Sequence, residues 1–120
     1  MGNRLIHFEF NSSDPLASVA FFEKALGWSF ARWGEHDYWL ATTGEKEPGI
    51  NGAIGLVSEG AEPHTLNTVE VKDLEAAISD CEKAGGSCSP EILEIPGVGR
   101  WVRVREPGGN EFGMIETVGA

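Results

Sequence analysis

Cysteine is scarce in this chain: Cys81 and Cys88 are the only two among 120 residues. Their spacing matches no metal-ligand pattern, and two thiols are too few for a disulfide framework. Cations are also in short supply, with 9 Lys and Arg against 19 Asp and Glu for a net charge of −10. Such a chain repels phosphates, which argues against nucleic-acid and anionic-membrane partners. Missing as well is any run of about 18 apolar residues, the minimum for a membrane-spanning helix. Strand-like sequence follows directly on Met1-Gly2-Asn3-Arg4, so no signal peptide is expected there. Ile6 stands where N-myristoylation asks for Ser or Thr. These absences together predict a reduced, soluble, cytoplasmic protein.

What is present fits one globular domain spanning 1–120. Hydrophobic residues make up 41% and charged residues 23%, near globular averages and far from disorder. A chain of this length buries about two-thirds of its unfolded surface and needs no metal or disulfide to fold. Glycine is abundant, 16 residues in all, about twice the usual ~7%.

Periodicity orders the chain. In Leu5–Asn11 the apolar Ile6, Phe8 and Phe10 alternate with His7, Glu9 and Asn11, the mark of a half-buried strand. Asp14-Pro15 reads as an N-cap followed by a first-turn proline. Leu16, Val19, Phe22 and Leu26 then form one helical stripe, and Gly27 stops it. Residues 28–33 and 38–42 read as strands around the turn Gly34-Glu35-His36-Asp37, and a glycine-rich strand runs from Ile50 to Val57. After the linker 58–63 the pattern restarts. Residues 65–71 read as a strand and Asp73 as an N-cap. Leu74, Ala77, Ile78, Cys81 and Ala84 form a stripe that Gly85-Gly86 ends. Strands over 87–95, 100–105 and 111–118 complete the chain.

The restart is a repeat. Asp14 and Glu23-Lys24-Ala25 recur 59 residues on as Asp73 and Glu82-Lys83-Ala84, and Ile54-Gly55-Leu56-Val57 overlays Phe112-Gly113-Met114-Ile115 at an offset of 58. Two modules, about 4–57 and 64–118, are therefore expected in one domain, since either alone would leave its helix stripe and sheet face under-covered.

Three segments carry a resemblance: His7-Phe8-Glu9-Phe10, Phe21-Phe22-Glu23-Lys24-Ala25-Leu26-Gly27-Trp28, and the tail from Ile95-Pro96-Gly97-Val98-Gly99-Arg100 through Glu106-Pro107-Gly108-Gly109-Asn110-Glu111-Phe112-Gly113. They resemble the vicinal-oxygen-chelate superfamily, which includes glyoxalase I, bleomycin-resistance proteins and extradiol dioxygenases, and within it the glyoxalase-related proteins. The resemblance implies an α+β fold of two tandem βαβββ modules, whose curled mixed sheets surround a ligand cleft, and pairing into homodimers. Metal-dependent members draw four ligands, typically two His and two Glu, from the first and last strands of the modules. Carried over, these positions are His7, Leu66, Gly55 and Gly113. One donor survives where a catalytic ion needs at least three. The resemblance with these departures implies no cofactor, a divalent metal being disfavoured. The metal-bound carboxylate that serves as general base is lost with it.

The candidate site follows from the faces of these strands. His7 and Glu9 are the candidate catalytic pair, with Glu9 and Glu70 raising the pKa of His7; a structural histidine in a polar cleft is the alternative. Asn11, Trp39, Gly55, Leu66, Thr68, Glu70, Trp101 and Gly113 are the expected ligand pocket. Thr68 is the expected mate of Glu9, and Glu9 and Glu70 lie diagonally as an acidic floor or as solvated carboxylates. Trp33, Trp39 and Trp101, with Tyr38, are planar walls or core packing. Gly55 and Gly113 mean either an open pocket floor or close backbone packing. His36 and His64 are expected in solvent, Cys81 in the core, and Gly108-Gly109 in a turn.

Three functions are then open. One is metal-free binding of a small organic molecule, the reaction unassigned. Another is a metal-dependent lactoylglutathione-lyase-like lyase or isomerase, the activity implied if the chain is an enzyme. The third is sequestration of a basic, planar antibiotic, which net −10 and four tryptophans would suit.

Overall fold

Two aspartates and a glycine set the helix ends in the computed structural model, which describes residues 2–118. Helix α1 runs Pro15–Leu26; the Asp14 side chain accepts from the Ala17 N–H at 3.2 Å, and Gly27 closes the helix at φ 73°. Helix α2 runs Leu74–Lys83, and Asp73 accepts from Ala76 N–H at 3.1 Å. Glu116 takes a second free donor of α2, the Leu74 N–H, at 2.8 Å. Each such cap is worth about 1 kcal/mol. No helix among the described residues is long and apolar enough to cross a membrane.

The chain divides into two units, residues 7–66 and residues 2–6 with 67–118. In the first, strands β1 (Arg4–Ser12, here from His7), β2 (Ser29–Arg32), β3 (Tyr38–Thr42), β4 (Gly52–Leu56) and β5 (His64–Thr65) carry α1. Their order is β2-β3-β4-β1, with β5 antiparallel to β1. β1 and β4 are parallel, Asn11 lying opposite Gly55, and β3 is antiparallel to β4, Tyr38 opposite Gly55. In the second unit, β6 (Asn67–Glu70), β7 (Ser87–Cys88), β8 (Leu93–Ile95), β9 (Gly99–Arg105) and β10 (Glu111–Thr117) carry α2. β6 pairs parallel with β10, Thr68 opposite Gly113, while β9 runs antiparallel to β10 and takes both β7 and β8. Both sheets are thus mixed, and the class is α+β as the sequence predicts.

Several expectations need correction. The strand expected over 87–95 is two short strands, because Pro90 between them has no N–H to give a ladder. That expected over 65–71 is divided into β5 and β6 at Leu66. The two parallel ladders also differ in register. Asn11, not Glu9, occupies the position of Thr68, since each faces the module's glycine. An offset of 59 at the helix caps therefore becomes 57 on these strands, and a shift of two residues keeps the same face.

In the first unit Val19, Ala41, Ala53, Ile54 and Leu66 are buried. Phe10 stacks on Phe22 at 5.4 Å and Phe22 on Trp28 at 4.7 Å, so α1 is docked largely by aromatic rings. Only the middle of the expected α1 stripe is covered. Leu16 and Leu26 are 63% and 58% exposed because they sit in the end turns, past the residues that meet the sheet. The core of the second unit is Val71, Leu74, Val102, Val104 and Met114, joined by Ala77, Ile78 and Cys81 of α2. Ala84 of the expected stripe is exposed at the C-cap. Each fully buried side chain of this size contributes about 1.5–3 kcal/mol.

Candidate functional site

Alternation in β1 sends Phe8 and Phe10 toward the aromatic stack and leaves His7, Glu9 and Asn11 on the opposite face. Tyr38 joins them from β3, over Gly55. Its hydroxyl donates to Glu9 Oε1 at 2.8 Å and lies 2.9 Å from His7 Nε2. The single hydroxyl proton is committed to Glu9, so His7 must donate from Nε2. In its neutral form, which burial favours, the imidazole is protonated on Nε2 and carries a lone pair on Nδ1.

Burial pushes His7 below its ordinary 6.5, outweighing the negative charge of Glu9 that raises it. This corrects the expected sign: carboxylates do stabilise the imidazolium, but the half-buried ring loses more by leaving water. Tyr38 is pushed far above its ordinary 10.0, by burial first, then by the charge of Glu9 and the hydrogen bond to it. The three groups form a hydrogen-bonded row of imidazole, phenol and carboxylate.

Neither key glycine opens a pocket floor. A Cβ on Gly55 would meet Asn11 Oδ1 at 3.1 Å and the Tyr38 ring at 3.4 Å. One on Gly113 would fall inside the indole of Trp101, against Nε1, Cε2 and Cζ2. That indole is fixed by its Nε1–H, which donates to Thr68 Oγ1 at 3.2 Å. Each glycine seats an aromatic ring of its own unit, so the close approach is by a side chain and not by the backbone, as the alternative had it.

The expected pocket residues therefore sort into groups. His7, Glu9, Asn11 and Gly55 come together around Tyr38 in the first unit, and Thr68, Trp101 and Gly113 in the second. Trp39 does not belong with the first group. It is adjacent in sequence to Tyr38 and so points to the other face of β3, where the Arg32 guanidinium sits 5.2 Å from its ring centre. Leu66 is 4% exposed and is core; its N–H donates to the Glu9 carbonyl at 2.8 Å. Glu70 accepts from the Thr117 hydroxyl at 3.0 Å.

Among the remaining residues, His36 and His64 are exposed, and His36 stacks on Trp33 at 4.7 Å. Cys81 lies 3.7 Å from Met114 Sδ, its thiol raised chiefly by burial, which is the inert setting expected. Gly108 and Gly109 form a turn closed by Glu106.

Sequence reasoning placed Tyr38 among wall residues and missed that it bridges both catalytic candidates. Parity could have found it, since β3 must put either Tyr38 or Trp39, not both, on the face of His7. An open groove of about 400 Å³ beside Thr43, Glu45, Glu47, Pro48 and Asn51 was likewise not anticipated.

The residues present do not fit the divalent ion that the resemblance associates with this fold. Gly55 and Gly113 offer no donor atoms and their space holds rings. On the offset of 57 the position matching His7 is His64 rather than Leu66, so two donors at most remain where a catalytic ion needs at least three. Elsewhere Asp73, Glu75 and Glu116 approach one another within 4.8 Å. Arg100 already pairs with Glu75 and lies 3.9 Å from Glu116, whose other contact is the α2 N-terminus.

The elements define an α+β protein of two mixed sheets, each carrying one helix. The chain belongs to the Glyoxalase/Bleomycin resistance protein/Dioxygenase superfamily, whose family model matches residues 4–114. No curated protein matches it. Among solved structures, methylmalonyl-CoA epimerase from Mycobacterium tuberculosis is similar at 13% identity and TM-score 0.68, over 96% of this chain and 88% of that one. A variant of the Streptomyces coelicolor methylmalonyl-CoA epimerase, in complex with 2-nitronate-propionyl-CoA, is similar at 14% identity and TM-score 0.68, over 99% and 100%. An extradiol ring-cleaving dioxygenase from B. fuscum is similar at 17% identity and TM-score 0.71, over 97% of this chain but 33% of the larger protein.

Proposed function

We propose that this chain binds a small organic molecule against the His7–Tyr38–Glu9 face of its first unit, and does so without a metal ion. The observation that carries this reading is the single Tyr38 hydroxyl held between His7 Nε2 and Glu9 Oε1. Groups that would otherwise face a ligand or an ion are thereby preorganised as a proton-handling row. A similar protein was solved with 2-nitronate-propionyl-CoA, which supports a small organic acyl compound as the kind of ligand to try first.

The chemistry available to this row is proton transfer. His7 Nδ1 accepts a proton from a weakly acidic group of the ligand. Tyr38 remains the acceptor of the Nε2–H and passes the stabilising charge of Glu9 to the imidazolium that forms. The lowered pKa of His7 keeps the base unprotonated at neutral pH. Tyr38 itself, raised by burial and by Glu9, keeps its proton and serves as a positioning group. By the habit of the family, the chain is proposed to act as a homodimer, which light scattering measures.

The test pairs a metal titration with a ligand titration. After dialysis against Ni²⁺ or Zn²⁺ and desalting, the purified protein is expected to retain well under about 0.5 equivalents of ion. Propionyl-CoA is expected to shift the His7 ring resonances in the native protein and not the spectrum of Tyr38→Phe to the same extent. Near-stoichiometric metal, or His7 resonances indifferent to propionyl-CoA, overturns the proposal.

A further inference from the structure

Only nine residues of this acidic chain are cationic, and three of them lie on one strand: Arg100, Arg103 and Arg105 of β9. Alternation separates them. Arg100 turns to the helix side of the second unit, where it pairs with Glu75 of α2 and lies near Glu94 and Glu116. Arg103 and Arg105 turn with Trp101 to the other face, away from the buried Val102 and Val104.

On that face Trp101 is a half-buried ring locked in place, its edge bonded to Thr68 and its plane over Gly113. The Arg103 guanidinium lies over the indole, 5.9 Å from its centre, so a ring that stacks there takes the place of this contact as Arg103 turns to the oxyanion. Among the described residues a single carboxylate serves both arginines. Glu111 Oε1 accepts from Arg103 at 2.9 Å, and its Oε2 lies 3.7 Å from Arg105. Two cations therefore share one anion, beside a fixed aromatic surface, in a protein of net charge −10. Exposed ion pairs of this kind are weak, so an incoming oxyanion can share or displace Glu111 at little cost. Guanidinium groups match the two-oxygen edge of a carboxylate or phosphate, and indole offers a stacking plane.

We propose that Trp101, Arg103 and Arg105 form a binding site for an aromatic oxyanion: a flat ring seated on the indole, its carboxylate or phosphate held by the two arginines. This site lies within the second unit and does not depend on the reading of His7.

The experiment follows the Trp101 indole N–H in proton–nitrogen correlation spectra of the full chain during titration with benzoate, phenyl phosphate and neutral benzyl alcohol. Both anions are expected to shift it saturably, and benzyl alcohol to bind roughly tenfold more weakly or less. Whichever anion binds tighter names the oxyanion of the natural ligand. Glu111→Gln removes the competing carboxylate and is expected to tighten anion binding about threefold or more. The double variant Arg103→Gln/Arg105→Gln is expected to lose at least roughly tenfold, with its fold checked by circular dichroism. An unmoved Trp101 signal, equal binding of benzyl alcohol, or an unchanged or weakened affinity in Glu111→Gln overturns the proposal. Because Glu111→Gln is a gain-of-binding test, a misfolded arginine variant does not spare it.

Discussion

Replacing Tyr38 by Phe removes one oxygen atom while leaving the ring over Gly55, so it isolates the hydroxyl. That oxygen makes two hydrogen bonds, at 2.8 Å to the Glu9 carboxylate and 2.9 Å to His7 Nε2. A bond to a charged group is worth about 1.5–3 kcal/mol net and a neutral one about 0.5–1.5 kcal/mol. Both partners are half-buried, so water recovers part of the loss, and a destabilisation of about 2 kcal/mol is expected. For a domain of this size that is a fall in Tm of roughly 6–10 °C. Urea unfolding followed by tryptophan fluorescence measures the free energy directly, with an unchanged m-value showing that the native packing is retained. A loss below about 0.5 kcal/mol would refute the reasoning, since two satisfied, partly buried bonds cannot be so inexpensive to remove.

Other expectations follow from the same contacts. Tyr38 is the only tyrosine, so tyrosinate absorbance reports it alone; its raised pKa means the folded state holds the proton that the unfolded state releases above pH 10. Stability therefore declines as pH rises past that point, and absorbance should appear only with unfolding; an ordinary titration near pH 10 in the folded protein would contradict this. His7 titrates below 6.5 when folded, so below that pH the unfolded chain binds the proton first. Stability contributed by neutral His7 is lost as pH falls from 6.5 through the lower folded value, and His7→Gln should flatten that part of the wild-type profile. Gly113→Ala drives a methyl group into the Trp101 indole and is expected to cost about 2–3 kcal/mol. Combined with Trp101→Ala it should cost less than the sum of the two by at least about 1 kcal/mol, and strict additivity would show that the ring does not occupy that space.

Much of this architecture is legible in the sequence because it is locally encoded. Asp14, Pro15 and Gly27 act within one turn of the helix they bound, and Asp73 repeats the device 59 residues on. The α2 stripe reads correctly for Leu74, Ala77, Ile78 and Cys81, which all meet one core, and overreaches only at Ala84, exposed at the C-cap. The α1 stripe reads too broadly, since periodicity shows which face is apolar but not how much of the helix the sheet reaches. Register is harder still: the two-residue difference between the Asn11–Gly55 and Thr68–Gly113 ladders preserves every face and so leaves no trace in the pattern of polar and apolar residues. The hydrogen-bonded row was legible only in part. That His7 and Glu9 share a face is readable because they alternate on one strand. Tyr38 lies 31 and 29 residues from them, and only the β3–β4–β1 pairing brings its hydroxyl between them.

The glycine-under-ring arrangement found in both units also bears on which substitutions this chain can accept. A carboxylate at Gly113 would collide with Trp101, while shrinking Trp101 first would leave a hole and strand Thr68 without its donor. Gly55 is similarly closed in by Tyr38 and Asn11. A larger side chain at either glycine therefore calls for a paired substitution of the ring that covers it. Tyr38 and Trp101 thus set the size allowed at Gly55 and Gly113, and neither position can change without its ring.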